Sequence, residues 1–304
     1  MKILRAPLLA ALVIFAAAGL SAAESPRRAL VIQTDFGTKD GAVAAMKGVA
    51  FGVDARLPIF DLSEENTPYD IWEAAYRLKQ TCPYWPAGTV FVSVIDPGVG
   101  TSRASIVLKT KTGQYFVGPD NGTWTLIAED MGVEAVRRID EKLNRRPGSE
   151  KSYTFHGRDI YAYTGARLAS GTITFEQVGP LLEPKVLSLP YQHAVGDARS
   201  VTGAIPLIDF HYGNVWTNIP DEVFAGLKPE FGQKFLVVIM HDGREVYRGT
   251  LPYAHTFGDV PEGAPLLYLN SLLNVAFALN QGSFSEKFGL SAGSGWTATV
   301  TRAP

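Results

Sequence analysis

Two predicted strands of this 304-residue chain each end in an aspartate followed by turn-forming residues. Asp35 follows the apolar run 29–34 and begins Asp-Phe-Gly, whereas Asp96 follows 89–95 and begins Asp-Pro-Gly-Val-Gly-Thr. Because α/β proteins bind ligands at the carboxyl ends of their strands, either carboxylate could contact a ligand or simply cap its turn. Arg103 comes soon after Asp96, so the turn could return its guanidinium to that carboxylate, as a functional pair or as an ordinary turn bridge.

A histidine precedes a predicted helix over 158–170, in Phe-His-Gly-Arg-Asp. A lone histidine is more often structural than catalytic, and His156 becomes a catalytic candidate only if the fold brings it to Asp96 and Arg103. The other histidines are scattered along the chain and Cys82 is the single cysteine, so we predict no metal centre and no internal disulfide.

A third segment, 209–218, combines an aspartate, aromatic residues and two asparagines. Stacking rings and hydrogen-bonding amides would suit a planar heterocycle, although a β-hairpin with a core tryptophan explains the pattern equally well. The chain lacks GxGxxG after a strand, a Walker A sequence and a GxSxG elbow, which argues against nicotinamide-binding, P-loop and α/β-hydrolase proteins.

The elements that position these residues change character along the chain. Up to about residue 182, β-like runs alternate with helical periodicity, which predicts an α/β domain with a mainly parallel sheet and helices on both faces. The predicted strands are 29–34, 58–62, 89–95, 106–109 and 114–117, of which the last two form a hairpin around 111–113. The predicted helices are 41–53 after Asp40, 70–80, a helix capped by Asn121 that ends near residue 131, and 158–170.

From about residue 200, short β-like runs are separated by glycine and proline, which predicts a small antiparallel β-barrel domain. Periodicity fades over 184–199, so we place the domains at 24–190 and 191–304. Lysine and arginine number 28 against 30 acidic residues, a balance that argues against nucleic-acid binding.

The N-terminus resembles a cleavable signal peptide over 1–23. Lys2 and Arg5 precede an apolar run, 7–20, and a small-residue site that ends at Ala23. An uncleaved membrane anchor is the alternative, but the run is shorter than the roughly 20 residues that a spanning helix needs. We therefore expect a periplasmic or secreted protein with no membrane attachment after cleavage.

Five ordered segments together resemble one family. They are Thr-Asp-Phe-Gly, Asp-Pro-Gly-Val-Gly-Thr, Gly-Pro-Asp-Asn-Gly, Phe-His-Gly-Arg-Asp and Gly-Asn-Val-Trp-Thr-Asn-Ile, and they lie between residues 29 and 301. The chain resembles the SAM hydroxide adenosyltransferases, hydrolases of S-adenosylmethionine (SAM) that are related to fluorinase and chlorinase. The resemblance implies an α/β domain followed by a β-barrel domain, a homotrimer with sites between subunits, SAM as substrate and no cofactor.

The resemblance also implies roles for individual residues. Asp96, Arg103 and His156 match the catalytic triad of the hydrolases, and Asp35 matches the carboxylate that holds the ribose hydroxyls. Tyr69 matches an aromatic residue that packs on the substrate. The C-terminal matches comprise Asp209 for the methionine ammonium, Tyr212, Asn214 and Trp216 for the adenine and methionine side of the pocket, and Phe257 and Ser271 for further pocket positions.

Departures from the halogenase pattern bear on the nucleophile. Halogenases have a segment similar to Tyr-Pro-Ala-Thr-Gly-Thr at the place of the Asp-Pro-Gly-Val-Gly-Thr segment that starts at Asp96. They carry Tyr-Ser where this chain has His156 and Gly157. A carboxylate in place of hydroxyls would repel a halide but can hold water. Leu272 replaces the halogenase arginine, which leaves the contacts of the methionine carboxylate open.

The expected function is therefore hydrolysis of SAM to adenosine and methionine by displacement at the 5′ carbon. The alternatives are an exported nucleoside-binding protein without turnover and a SAM-dependent halogenase.

Overall fold

The structure, a computed structural model, describes residues 28–293 and 295–303. The predicted signal peptide lies outside these residues. The described chain consists of an N-terminal α/β part and a C-terminal β part. Residues 183–194 join the two parts without a helix or strand.

A seven-stranded sheet forms the centre of the N-terminal part, in the order β2-β1-β3-β5-β4-β6-β7. The strands β1, β2 and β3 pair in parallel, as do β3 and β5, whereas β4 pairs antiparallel with β5 and β6, and β6 with β7. The strands are β1 Leu30–Thr34, β2 Ile59–Ser63, β3 Val90–Val94, β4 Ser105–Thr110, β5 Tyr115–Pro119, β6 Val133–Arg138 and β7 Leu181–Leu182.

The sheet is therefore mixed, and the prediction of a mainly parallel sheet is wrong for one half of it. The cause is the tight turn between β4 and β5, where Gly113 has a φ of 89°. Two strands joined by so short a turn can pair only antiparallel. The next strand, β6, then adds antiparallel to β4.

Helices cover both faces of this sheet, because successive side chains of a strand point to opposite sides. Leu30 and Ile32 lie in one core cluster with Met46 of α1, whereas Val31 lies in a second cluster with Leu78 of α2. The helices are α1 Ala42–Val53, α2 Ile71–Thr81, α3 Thr125–Met131, α4 Glu141–Asn144 and α5 Tyr163–Ala169. A π-helical turn, Gly157–Ala162, leads directly into α5.

Two predicted helix caps shift. Gly41 is the N-cap of α1, although Asp40 Oδ1 accepts a hydrogen bond from the Ala42 N–H at 2.9 Å. Trp124, not Asn121, is the N-cap of α3. The Asn121 side chain instead donates to the carbonyl of Ile95 at 2.8 Å, so it fixes the end of β3.

The C-terminal part contains two antiparallel sheets, ordered β10-β11-β15-β14 and β13-β12-β16-β9-β8. Their strands are β8 Val195–Gly196, β9 Ser200–Ala204, β10 Leu207–Ile208, β11 Val215–Pro220, β12 Lys234–His241, β13 Arg244–Pro252, β14 Pro265–Leu269, β15 Asn274–Leu279 and β16 Trp296–Arg302. Two short helices, α6 Asp221–Phe224 and α7 Phe284–Phe288, complete this part.

The predicted closed barrel is not formed by the described strands. Each sheet ends in edge strands, and the isolated bridge Tyr253–Leu267 does not continue into a ladder between the sheets. Instead, the sheets bury a shared apolar core in which Phe235 and Val300 of one meet Val275 and Phe277 of the other. This arrangement buries the inner faces without closing the hydrogen-bonding pattern.

A separate apolar cluster joins the two parts of the chain. Tyr76 of α2 and Leu126 of α3 pack there with Trp216, Tyr268 and neighbouring residues of the β part. No helix within the described ranges has both the length and the apolar character needed to cross a membrane.

Candidate active site

The fold brings the two strand-terminal aspartates to one edge of the central sheet. The strands β1 and β3 are parallel neighbours, with Thr34 opposite Val94, so Asp35 and Asp96 follow at the same end. Both line a cleft of about 250 Å³ together with Tyr69 and His156. The structure thus places the two carboxylates, which the sequence offered separately as ligand contacts or turn caps, in one cleft.

Asp96 and Arg103 form an ion pair across the β3–β4 turn. Arg103 Nε donates to Asp96 Oδ1 at 2.8 Å, and Nη2 donates to Oδ2 at 2.5 Å. The two side chains are only 5% and 10% exposed. Burial alone would lower the pKa of Arg103, but its hydrogen bonds to Asp96 raise that pKa above its ordinary value. The guanidinium is therefore a fixed cation at the edge of the cleft.

His156 completes this cluster, because Arg103 Nη2 also lies 2.9 Å from His156 Nδ1. A guanidinium can only donate, so Nδ1 must accept, and the neutral ring then carries its hydrogen on Nε2. Burial and then the charge of Arg103 lower the pKa of His156 below its ordinary value. The ring is therefore neutral near pH 7, and neither of its nitrogens is free to accept a proton.

The residue after His156 is a glycine in a tightly packed turn. A Cβ on Gly157 would lie 3.1 Å from Val94 Cγ1, so a larger residue would have to displace the Val94 side chain or move this turn away from β3. This close approach carries His156 to the end of the strand that holds Asp96. It explains why the sequence places His-Gly ahead of a helix.

Ser105 and Tyr161 hold the other side of Arg103, and the sequence did not reveal either. Arg103 Nη1 donates to Ser105 Oγ at 3.0 Å, and Ser105 Oγ shares a hydrogen bond of 3.0 Å with the hydroxyl of Tyr161. Burial raises the pKa of Tyr161, so its hydroxyl keeps its proton. The only signal available was position: Ser105 starts β4 just after Arg103, and Tyr161 follows His156 by about one π-helical turn.

Asp35 is fixed by the backbone of Tyr69. The Tyr69 N–H donates to Asp35 Oδ2 at 2.8 Å, and Tyr69 has a φ of 68°, which is strained for a residue with a large side chain. The Tyr69 side chain is 72% exposed. Local strain thus holds an aromatic ring at the mouth of the cleft while its N–H orients the carboxylate.

Glu64 lies behind Asp35 and was not singled out from the sequence. Thr34 Oγ1 donates to Glu64 Oε2 at 2.5 Å and accepts from the Phe36 N–H at 3.2 Å. Glu64 also accepts the Gly37 N–H on its backbone carbonyl at 2.7 Å. Burial raises the pKa of Glu64 to about 7, with a further increase from the carboxylate of Asp61 and an opposing effect from the Thr34 hydroxyl. This buried carboxyl therefore supports the turn that presents Asp35.

The remaining predicted site residues line a second cavity, of about 700 Å³, in the β part. They are Asp209, Tyr212, Asn214, Trp216, Phe257 and Ser271. Asp209 Oδ2 accepts from Asn214 Nδ2 at 3.4 Å, and Asp209 Oδ1 accepts from the His211 N–H at 3.3 Å. Asp209 is thus oriented by neutral donors only.

The cleft and the cavity share no lining residue, so one chain does not bring all the predicted residues into a single pocket. The N-terminal group, which includes Arg103 through its contacts, lies at the sheet edge. The other six residues lie in the β part. Within residues 28–293 and 295–303, no three or more His, Cys, Asp or Glu side chains converge as metal ligands would.

Comparison with protein families defines the class of protein. The family model for the SAM hydroxide adenosyltransferase N-terminal domain matches residues 30–179, and the model for the C-terminal domain matches residues 203–297. The chain belongs to the SAM hydroxide adenosyltransferase family, which confirms the resemblance inferred from the five sequence segments.

Individual relatives agree with this assignment. An (R)-S-adenosyl-L-methionine hydrolase from Salinispora tropica is 36% identical over 262 residues, which cover 86% of this chain and 93% of that protein. One from Methanocaldococcus jannaschii is 46% identical over 145 residues, and this match spans about half of each protein, 46% of this chain and 52% of the relative. The crystal structure of an uncharacterized conserved protein from Thermotoga maritima has a TM-score of 0.82 and 34% identity, and it covers 90% of this chain and 100% of that one.

Proposed function

We propose that the protein hydrolyses SAM to adenosine and L-methionine. The observation that carries this proposal is the buried cluster of Asp96, Arg103 and His156 at the cleft, in a chain that belongs to the SAM hydroxide adenosyltransferase family. The sulfonium of SAM makes methionine a good leaving group, because the departing thioether is neutral. The protein must then align a water molecule with the 5′ carbon and shield it from bulk solvent.

In this reaction, the oxygen of water forms a bond to C5′ as the bond between C5′ and sulfur breaks. The electron pair of the broken bond remains on sulfur, and water loses a proton. Arg103 lowers the pKa of a nearby water through its charge. His156 has no free acceptor nitrogen, so Asp96 is the group that orients the water and accepts its proton.

The remaining residues bind the substrate. Asp35 accepts hydrogen bonds from the ribose hydroxyls, and the exposed ring of Tyr69 packs on the substrate.

Asp209 pairs with the methionine ammonium in the second cavity, where Tyr212, Asn214 and Trp216 contact the adenine and methionine groups. Phe257 and Ser271 complete that wall.

Because the two sets of residues line separate cavities in one chain, we propose that the active site closes between subunits of a homotrimer. The cleft of one subunit would face the cavity of its neighbour. Two exposed aromatic residues support this arrangement, Tyr69 at the cleft and Tyr212 in the cavity. Exposed aromatic rings are typical of surfaces that become covered on assembly.

Water, not halide, is the proposed nucleophile. The cleft is lined by Asp96, Val99 and Gly157, at positions where the halogenase pattern has residues with a hydroxyl group. A carboxylate has no hydrogen to donate to a halide, but it can accept a hydrogen bond from water. Incubation with SAM and chloride should therefore give adenosine, and a 5′-halo-5′-deoxyadenosine as the main product would contradict this choice of nucleophile.

We further propose that cleavage after Ala23 yields a mature protein that acts in the periplasm or outside the cell. The support is the sequence pattern of residues 1–23 alone. Mass spectrometry of the protein exported by its host would give a first residue of Glu24. An intact residue Met1 on the exported protein would contradict this.

The experiment that tests the proposed function compares Asp96→Asn with the unmodified protein in the presence of SAM and EDTA. Loss of the proton acceptor should reduce single-turnover adenosine formation by about 10² or more. Asp242→Asn is the matched control, since Asp242 is exposed at the β12–β13 turn and has a φ of 47° that asparagine tolerates. Its rate should not change.

Removing one charge of a buried ion pair also destabilises the fold, so the thermal midpoint of Asp96→Asn must be measured alongside the rate. A folded Asp96→Asn protein with an unchanged rate would show that Asp96 only supports its turn. An unmodified protein that binds adenosine tightly but forms none from SAM would be a nucleoside-binding protein.

A further inference from the structure

The charges around the cleft and the cavity bear on which sulfonium nucleosides the protein accepts, a question that rests on the proposed function. Three carboxylates line the two spaces, namely Asp35, Asp96 and Asp209, and no lysine or arginine of the described chain lines either one. Arg103 neutralises Asp96 by its two hydrogen bonds. Asp35 and Asp209 therefore make the combined site net negative, which favours a cationic ligand.

The amino-acid part of SAM carries an ammonium and a carboxylate, and the cavity treats them differently. Asp209 offers the ammonium a full negative charge. In the part of the chain that the structure describes, the carboxylate has no lysine or arginine to pair with in the cavity. Leu272, which stands where halogenases have an arginine, packs against the apolar cluster at the domain interface and does not line the cavity. His211 is the one remaining basic side chain in the lining, and it is exposed to solvent.

The donors left for a ligand carboxylate are neutral. The Ser271 hydroxyl lines the cavity, as do Trp216 Nε1 and Asn270 Nδ2, which are buried and have no hydrogen-bond partner within the described residues. Asn214 Nδ2 is directed to Asp209, and Asn280 Nδ2 donates to the carbonyl of Val260 at 2.8 Å. Such neutral donors recover only part of the desolvation cost of a carboxylate that gains no cationic partner. Its proximity to Asp209 adds repulsion.

We infer that the site also takes the decarboxylated sulfonium, in which a 3-aminopropyl group replaces the 3-amino-3-carboxypropyl group of SAM. This ligand has two positive charges and keeps the amine that Asp209 pairs with. Its hydrolysis follows the same course: water adds at C5′, the C5′–sulfur bond breaks with its electron pair on sulfur, and a proton is released. The products are adenosine and 3-(methylthio)propylamine.

The test measures kcat/KM for adenosine formation from SAM and from the decarboxylated compound with the unmodified protein. We expect the decarboxylated compound to be equal or better, by a factor of up to about ten, which is the scale of one partly exposed charge interaction. Its advantage should shrink as ionic strength rises, because a dication is screened more strongly than a ligand of net charge one. If kcat/KM for the decarboxylated compound is below about one-tenth of that for SAM, the inference is wrong, because one charge interaction would then favour SAM instead.

Two variants test the physical cause. Ser271→Lys places a cation at the exposed cavity wall, and Ser271→Met is the matched control of similar length without charge. Relative to Ser271→Met, Ser271→Lys should increase the preference for SAM by about two- to ten-fold. An identical preference in the two variants would show that charge does not set the selectivity.

Failure of the proposed function would give a different result. If neither compound yields adenosine, hydrolysis itself is wrong, and calorimetry on the same unmodified protein still ranks the two ligands by Kd. Tighter or equal binding of the decarboxylated compound would support the inference in that case, and binding of SAM alone would contradict it.

Discussion

Nη2 of Arg103 lies 2.9 Å from Nδ1 of His156 and 2.5 Å from Oδ2 of Asp96, so one nitrogen joins all three side chains. Both of its hydrogens are therefore in use. This sharing settles the tautomer of the imidazole and keeps it neutral, since a hydrogen on Nδ1 would face the guanidinium. His156 thus contacts Arg103 through its only acceptor nitrogen, which is why Asp96 is the proton acceptor in the proposed mechanism.

The first prediction concerns the pH dependence that His156 imposes. Burial and the charge of Arg103 place its pKa below the ordinary 6.5, so the ring is mostly neutral, and kcat/KM should hold, at pH values above 6.5. Below that range, protonation places a hydrogen between Nδ1 and Arg103, and activity should fall. A pH–rate profile checks this.

His156→Asn separates this effect from other acid-sensitive groups. The amide oxygen can still accept from Arg103 but cannot ionise, so the acid limb set by His156 should disappear while the rate drops by on the order of 10² from altered alignment. His193→Asn, at an exposed site, should retain the normal profile. An unaltered acid limb in His156→Asn would assign that limb to another group.

The second prediction concerns Asp35. Asp35→Ala removes the proposed acceptor of the ribose hydroxyls and the hydrogen bond that holds the strained backbone of Tyr69, so KM should rise by about ten- to a hundred-fold, the scale of one or two charged hydrogen bonds. Steady-state kinetics should show a smaller loss in kcat than in affinity. Asp40→Ala, in the exposed part of the same loop, serves as the control. A change in kcat alone would rule out a binding role.

The third prediction concerns stability and Glu64. Its folded pKa of about 7 lies above the ordinary 4.5, so the unfolded chain ionises first as pH rises. This group therefore lowers the free energy of unfolding between about pH 4.5 and 7 and has no further effect above that range. Glu64→Gln should remove this loss, so that its stability relative to the unmodified protein increases from pH 5 to pH 8.

Urea unfolding at both pH values measures that difference. Glu65→Gln is the matched control, because Glu65 is the adjacent glutamate and is exposed. It should follow the unmodified protein. If Glu64→Gln and Glu65→Gln give the same pH dependence, Glu64 does not titrate as its burial implies.

The fourth prediction concerns sharing of the site between subunits. Asp96→Asn disables the cleft and Asp209→Ala disables the cavity, so each protein alone should be nearly inactive. If a cleft from one subunit completes a cavity of the next, randomly mixed trimers restore about one quarter of the sites. Co-expression of the two variants with different tags, followed by light scattering and an activity assay, tests this. A monomeric mass, or no recovery in mixed oligomers, would contradict it.

The sequence singled out residues of the cleft because strand ends and turns follow local rules. It placed Asp35 and Asp96 at the ends of strands, and seven residues of turn suffice to return Arg103 to Asp96. That β1 and β3 are neighbours, which brings the two aspartates together, was seen only in the structure. Helices on both faces followed from alternation of elements. Short-range patterns therefore carried most of the N-terminal prediction.

What the sequence missed depends on contacts between distant segments. Tertiary packing determines the pairing of β6 with β4 and the open edges of the two C-terminal sheets. It also brings Tyr161 to Ser105, which accepts a hydrogen bond from Arg103. Glu64 looked like an ordinary surface glutamate, and only its burial behind Thr34 distinguishes it from Glu65. The separation of cleft and cavity likewise has no signature in the order of residues along the chain.

Hydrolysis in water enriched in oxygen-18 reveals whether water attacks the 5′ carbon of SAM. Purified protein treated with EDTA would be incubated with SAM, and the adenosine and methionine would be examined by mass spectrometry. We expect adenosine with one oxygen-18 atom at the 5′ position and unlabelled methionine, because water attacks C5′ as the sulfur departs. Absence of adenosine, or adenosine without the label, would contradict this expectation.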